Sequence, residues 1–199
     1  MADILDYARP LPGEATERAL VTVVFLRMLR APERPPAIMP PGVTLTRERL
    51  SVPEYRRLYN DVGGPWLWWL RRMMPDAQLA RHLASPRVSI FVLRVNGQDA
   101  GFFETDAGQW PFVNLNYFGL KQEYVGRGLG RKFLDAAVDS VFIGASSHLA
   151  GMTVNTCSAD HPRALPNYLA AGFVEYRRAC EEWDIPVRLG LKVPERLRG

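Results

Sequence analysis

"EYVGRGLGRKF", residues 123–133, sets glycines at 126, 128 and 130 directly before a segment with helical periodicity. Leu129, Phe133, Ala137 and Val141 recur at a spacing of four while Arg131, Asp135 and Asp139 take another face, the pattern of a helix laid on a sheet. A glycine-rich loop at a helix start leaves main-chain N–H groups unpaired beside the positive end of the helix dipole. The stretch therefore predicts an anion site, and phosphate suits it best.

Working outward, the texture on both sides is that of strands. Upstream, "RVSIFVLRV" (87–95) and "QDAGFFETD" (98–106) flank Asn96-Gly97, a strong hairpin signal, and after a turn near Gly108 "PFVNLNYFGL" (111–120) completes an antiparallel meander. Downstream come "GMTVNTC" (151–157), a short helix ending at Gly172, and "FVEYRRACEEW" (173–183). The order β-β-β-α-β-α-β predicts a mixed α/β sandwich. Ahead of it, "LVTVVFLRML" (20–29) reads as a first strand, "RAPERPPAIMPPG" (30–42) as an irregular link, and "VTLTRE" (43–48) as a short strand. Ser51 and Glu54 have capping-box spacing and open a helix that carries Tyr55, Leu58 and Tyr59 and stops at Gly63 and Gly64. A further short helix starts at Pro75-Asp76 and ends near Ser85. Trp66, Trp68 and Trp69 read as core.

Composition narrows the classes. The chain has 199 residues, 47% of them hydrophobic and 23% charged, which is globular usage for one domain. No apolar run approaches the roughly 20 residues that span a bilayer. The start, "MADILDYARPLPGE", has early acids and no apolar core, so it does not read as a secretory signal, and a cytoplasmic location is expected. Cys157 and Cys180, the two cysteines, have no zinc spacing and read as buried free thiols; no metal site is expected. The formal charge of +4 comes from arginines spread along the chain, which suits a polyanionic small ligand; neither nucleic acid nor membrane is expected as a partner.

Two phosphate motifs fail. A dinucleotide fingerprint would need glycine at 131, where Arg131 stands, and a kinase-like P-loop needs Gly-Lys-Ser/Thr. What remains is Q/R-x-x-G-x-G/A, here Val125-Gly126-Arg127-Gly128-Leu129-Gly130. With "GLKQEYVGRGLG" and "HPRALPNYLAAGF" as its two motifs, the chain resembles the GNAT superfamily of N-acetyltransferases over residues 87–180. Val125 departs from that pattern, which usually has Gln or Arg; binding by main-chain amides tolerates the change.

The resemblance implies a GNAT-like α/β fold, a mixed, mostly antiparallel sheet with helices on both faces. It implies one domain over 1–199, with 1–50 as an N-terminal strand and proline-rich arm and 87–180 as the acetyl-CoA-binding core. Acetyl-CoA would be a co-substrate, its diphosphate on residues 125–131 with Arg127 and Arg131 as cationic partners. Its pantetheine would lie in a V-shaped opening beside Phe118, Gly119 and Leu120. Tyr168, four residues before Gly172-Phe173, would donate a hydrogen bond to the departing thiolate; full proton transfer from a phenol is uphill by roughly 2 kcal/mol. His161 takes the place of a cofactor-contacting asparagine. The acceptor, a small-molecule amine or a peptide amine, needs a base, because an alkyl ammonium is only about a thousandth neutral at pH 7. Glu104 is the best-placed acid, while Asn114, Asn116 and Asn155 are expected to bind the acceptor. Pro166 conflicts with a helix around Tyr168 unless that helix starts late or kinks. A monomer or homodimer is expected, and a CoA-binding module without catalysis is the alternative.

Overall fold

The computed structural model describes residues 7–198; residues 1–6, which belong to the stretch read against a secretory signal, lie outside the described residues. The described strands form one sheet: β1 (Thr16–Met28), β2 (Val43–Glu48), β3 (Val88–Val95), β4 (Gln98–Asp106), β5 (Phe112–Leu120), β6 (Gly151–Cys157) and β7 (Val174–Pro186). Their order is β2-β3-β4-β5-β6-β1-β7, antiparallel throughout except for the parallel β5–β6 pair. The meander follows the expected hairpin, with Asn96 (φ 50°) and Gly97 (φ 80°) both left-handed as a primed turn requires.

Helices cover both faces. Helix α1 (Val52–Gly63), the short α2 (Leu70–Met73) and α3 (Asp76–Ala84) precede β3, and on this face Tyr55, Leu58, Tyr59 and Leu79 bury against Ile90, Val92 and Phe102. On the other face α4 (Leu129–Phe142) and α5 (Ala164–Ala171) bury Phe133, Leu134, Ala137 and Ala171 against Leu26, Leu93 and Phe103. Phe102 and Phe103 fall to opposite cores, as the two-residue period of a strand demands. The α1 entry is as read: the Glu54 carboxylate accepts from the Ser51 N–H at 2.8 Å. Pro166 causes no conflict, because α5 begins at Ala164 and its third residue has no intrahelical N–H bond to lose. No helix among the described residues is long and apolar enough to cross a membrane.

The placement of β1 was not foreseen. It lies between β6 and β7, with Phe25 opposite Asn155 on one side and Arg177 on the other. It also starts four residues before the expected strand. From its end the link must return across the sheet to β2 at the far edge, and it does so over α4. Arg34 pairs with Asp139 at 3.0 Å and donates to the Asp135 carbonyl at 2.9 Å, while the Ala37 N–H donates to Asp139 at 2.6 Å. Cys180 is exposed, a correction to the reading of both cysteines as buried: β7 is an edge strand whose residues mostly face outward.

Candidate active site

Strands β5 and β6 pair only from Phe112–Gly151 to Leu115–Val154. Beyond that they part, because β5 carries one extra residue against β4: Glu104 faces Tyr117 and Thr105 faces Leu115, which leaves Asn116 as a bulge. A bulge bends its strand and re-aims its side chains. The V between the strands opens into a cleft of about 1500 Å³ whose wall includes Phe118, Gly119, Leu120, Asn155 and Tyr168.

The glycine loop forms one end of that wall through Val125, Gly126, Gly128, Gly130 and Arg131. Gly126 (φ 82°) and Gly128 (φ 76°) need the left-handed conformation that glycine alone adopts freely. A Cβ at 126, 128 or 130 would meet nothing within 4 Å, so these positions face open space. The Gly126, Arg127 and Gly128 N–H groups find no main-chain acceptor among the described residues, and no side chain caps α4. Unpaired amides at a fourteen-residue helix start fit a diphosphate.

Two expected cationic partners are placed differently. Arg127 lies over the Tyr124 ring, 5.3 Å from its centroid, and neither it nor Leu129 forms the cleft wall. Arg131 is tied to Asp135 at 3.1 Å and to the Ala170 carbonyl at 3.0 Å, so it joins α4 to α5.

Tyr168 is buried by Phe118 and Phe173, yet its side chain reaches the cleft. Burial, with Asp160 adding to it, holds its phenol well above the usual range, so the hydroxyl is a donor throughout neutral pH. Asp160 accepts from Thr156 Oγ1 (2.7 Å) and the Cys157 N–H (2.9 Å), but burial raises its carboxyl above the ordinary value. The Cys157 thiol, also in the wall, is pushed up to about 12 by burial and then by Asp160, which keeps it unreactive. His161 lines the cleft beside Trp66, with Nδ1 accepting the Arg163 N–H at 3.0 Å.

The wall at Asn114 and Asn116 is more polar. Thr153 donates to Asn114 (2.9 Å), Asn114 to Asn116 (2.6 Å), and Asn116 to Glu104 Oε1 (2.8 Å), a line of bonds across β6, β5 and β4. Glu104 is fully buried and does not line the cleft. Its Oε1 also takes Arg71 Nη2 (2.8 Å) and His82 Nε2 (2.9 Å), and its Oε2 takes the Tyr55 hydroxyl. Burial alone would raise this carboxyl, but Arg71, then His82 and Tyr55, hold it well below the usual carboxylate range. The expectation of Glu104 as a base is therefore corrected: four donors saturate its carboxylate and it presents no surface to the cleft.

Sequence reading missed Arg71 and His82, which look like surface charges on short helices, and the tryptophans' double role. Trp68 and Trp69 pack into the cores and also form cleft wall, whereas Trp66, read as core, is half-buried in the cleft wall against His161 and belongs to neither core. Leu67 between them is left-handed (φ 55°), and the Trp68 N–H closes on the Gly63 carbonyl at 3.1 Å, a helix stop normally built on glycine. A Cβ at Gly63 would sit 2.3 Å from the Trp68 ring, so this glycine makes room for the wall.

The chain has the fold of the GCN5-related N-acetyltransferases. It superposes on one from Sphaerobacter thermophilus with a TM-score of 0.57 at 15% identity, over 88% of this chain and 54% of that one. For one from Kribbella flavida the values are 0.53, 16%, 88% and 63%. For a tandem GNAT protein from the clavulanic acid biosynthesis pathway they are 0.59, 15%, 87% and 55%. The chain thus spans little more than half the length of these proteins. No family model matches it, and no curated protein is similar to it in sequence.

Proposed function

We propose that this protein is an acetyl-CoA-dependent N-acetyltransferase that moves an acetyl group to a primary amine by direct attack in a ternary complex. The observation that carries the reading is that unpaired loop amides, a parted β5–β6 pair and the Tyr168 side chain share one cleft. The loop amides would hold the diphosphate of acetyl-CoA, and the bound thioester would supply the activated acyl group. The strand end at Phe118, Gly119 and Leu120 would line the pantetheine, and main-chain N–H groups there would polarise the thioester carbonyl. His161 would lie against the same cofactor. Tyr168 would donate to the departing sulfur, and Asn114, Asn116 and Asn155 would orient the amine. A small-molecule or peptide amine is the acceptor class, and the tryptophan wall favours an apolar or aromatic one. A cytoplasmic enzyme, monomeric or dimeric, is consistent with this chemistry.

The second reading, a CoA-binding module without catalysis, draws support from the amides at 114 and 116, which cannot act as bases. Rates of acetyl transfer by wild type and Tyr168→Phe separate the two. Catalysis predicts a drop of about 10–100-fold in kcat with acetyl-CoA affinity preserved, the scale of one positioned proton donor. Equal rates in the two proteins would favour the module.

A further inference from the structure

We propose that His82 is the general base of the transfer, with Glu104 as its positioning residue; this rests on the acetyltransferase reading above. His82 stands in the last turn of α3 and lines the cleft, its side chain 18% exposed, whereas Glu104 behind it is sealed. Its Nε2 lies 2.9 Å from Glu104 Oε1 and 3.0 Å from Arg71 Nη2, which itself donates to that same oxygen. A lone pair on Nε2 would point at the carboxylate. We assign the proton to Nε2, facing the carboxylate, with Arg71 Nη2 directing its own hydrogen to the same Glu104 oxygen rather than to the ring; Nδ1, which has no hydrogen-bond partner among the described residues, then keeps the lone pair a base requires.

Around the ring, Glu104 on β4, Arg71 on α2 and the carbonyl end of α3 all face it. Tyr55 holds the far oxygen of Glu104, Tyr7 accepts from Arg71 at 3.3 Å, and the Tyr117 ring lies under the guanidinium at 5.2 Å. The cluster fixes the ring's orientation, with Asn116, the residue at which β5 leaves β6, bonded to the same Glu104 oxygen.

An ordinary imidazole is about 10⁴-fold less basic than an alkylamine, so the resting ammonium gives its first proton to solvent. The neutral amine then attacks the thioester carbonyl carbon; as the C–N bond forms, the nitrogen becomes acidic and its second proton passes to His82 Nδ1. The C–S bond breaks, the thiolate leaves on the Tyr168 hydrogen bond and takes a proton from water, and the imidazolium returns its proton to solvent.

The test uses acetyl-CoA with 2-phenylethylamine, spermidine and a lysine peptide as acceptors, comparing wild type with His82→Gln and His82→Asn. The expected result is a loss of about 10²–10³-fold in kcat, unchanged affinity for acetyl-CoA, and disappearance of the acid limb that imidazole protonation gives the wild-type pH profile. Nitrogen NMR of the wild type alone should find Nε2 protonated and Nδ1 bare in the neutral ring. Variants that keep their kcat within about threefold and retain the acid limb, or a neutral ring protonated at Nδ1, overturn the proposal. A wild type that binds no acetyl-CoA removes the acetyltransferase reading itself and the base role with it, whatever the tautomer.

Discussion

At the scale of single residues, the buried Arg71–Glu104 pair does two jobs. It ties α2 to β4 beneath the cleft, and it sets the charge beside the polar wall. Glu104 is ionised in the folded chain at pH values where an ordinary carboxylate, near 4.5, is already taking up its proton. Its contribution to stability is thus complete above that value and is lost as pH falls below it toward the depressed folded value. Glu104→Gln should cost about 3–5 kcal/mol at neutral pH, since Arg71 is left buried without its anion. It should also flatten the acid side of the stability curve. Chemical denaturation from pH 3 to pH 8 checks both; parallel curves for the two proteins would show that the pair does not carry the acid dependence. None of this was legible in the sequence. "GFFETD" alternation leaves the facing of Glu104 open, and its partners lie 12 to 49 residues away from it along the chain.

Elements were more legible, for physical reasons. Strand alternation, Asn96-Gly97, the Ser51–Glu54 spacing and the glycine loop are local signals, and each element they mark is found within a few residues of its expected place. What local signals cannot encode is which strands become neighbours. The position of β1 between β6 and β7 depends on the link over α4, and the link depends on Arg34 reaching Asp135 and Asp139 about a hundred residues later. The Arg34 and Asp139 side chains are 22% and 15% exposed, so the pair lies between a surface bridge and a buried one. Arg34→Ala should remove about 1 kcal/mol and lower the Tm by about 2–4 °C without altering acetyl-CoA affinity. An unchanged Tm would mean that the link is fastened by other contacts.

At the scale of the whole molecule, three buried clusters on the two faces of one sheet clamp the strands, and the sheet is weakest where β5 and β6 separate. That gap is the cleft. The glycine loop closes one end, the tryptophan wall stands beside it, and the line from Thr153 to Glu104 backs the polar wall. In the proposed function, main-chain amides at the start of α4 bind the diphosphate of acetyl-CoA. Gly130 separates that role from folding: it lies in the first turn of α4 with open space around a would-be Cβ, and a carboxylate there favours the helix dipole while repelling an anion. Calorimetric titration of acetyl-CoA into wild type and Gly130→Glu is the most direct measurement. Wild type should bind, the variant should bind at least about tenfold more weakly, and its Tm should be equal or higher. No heat with wild type, or equal affinity in a folded variant, would contradict it.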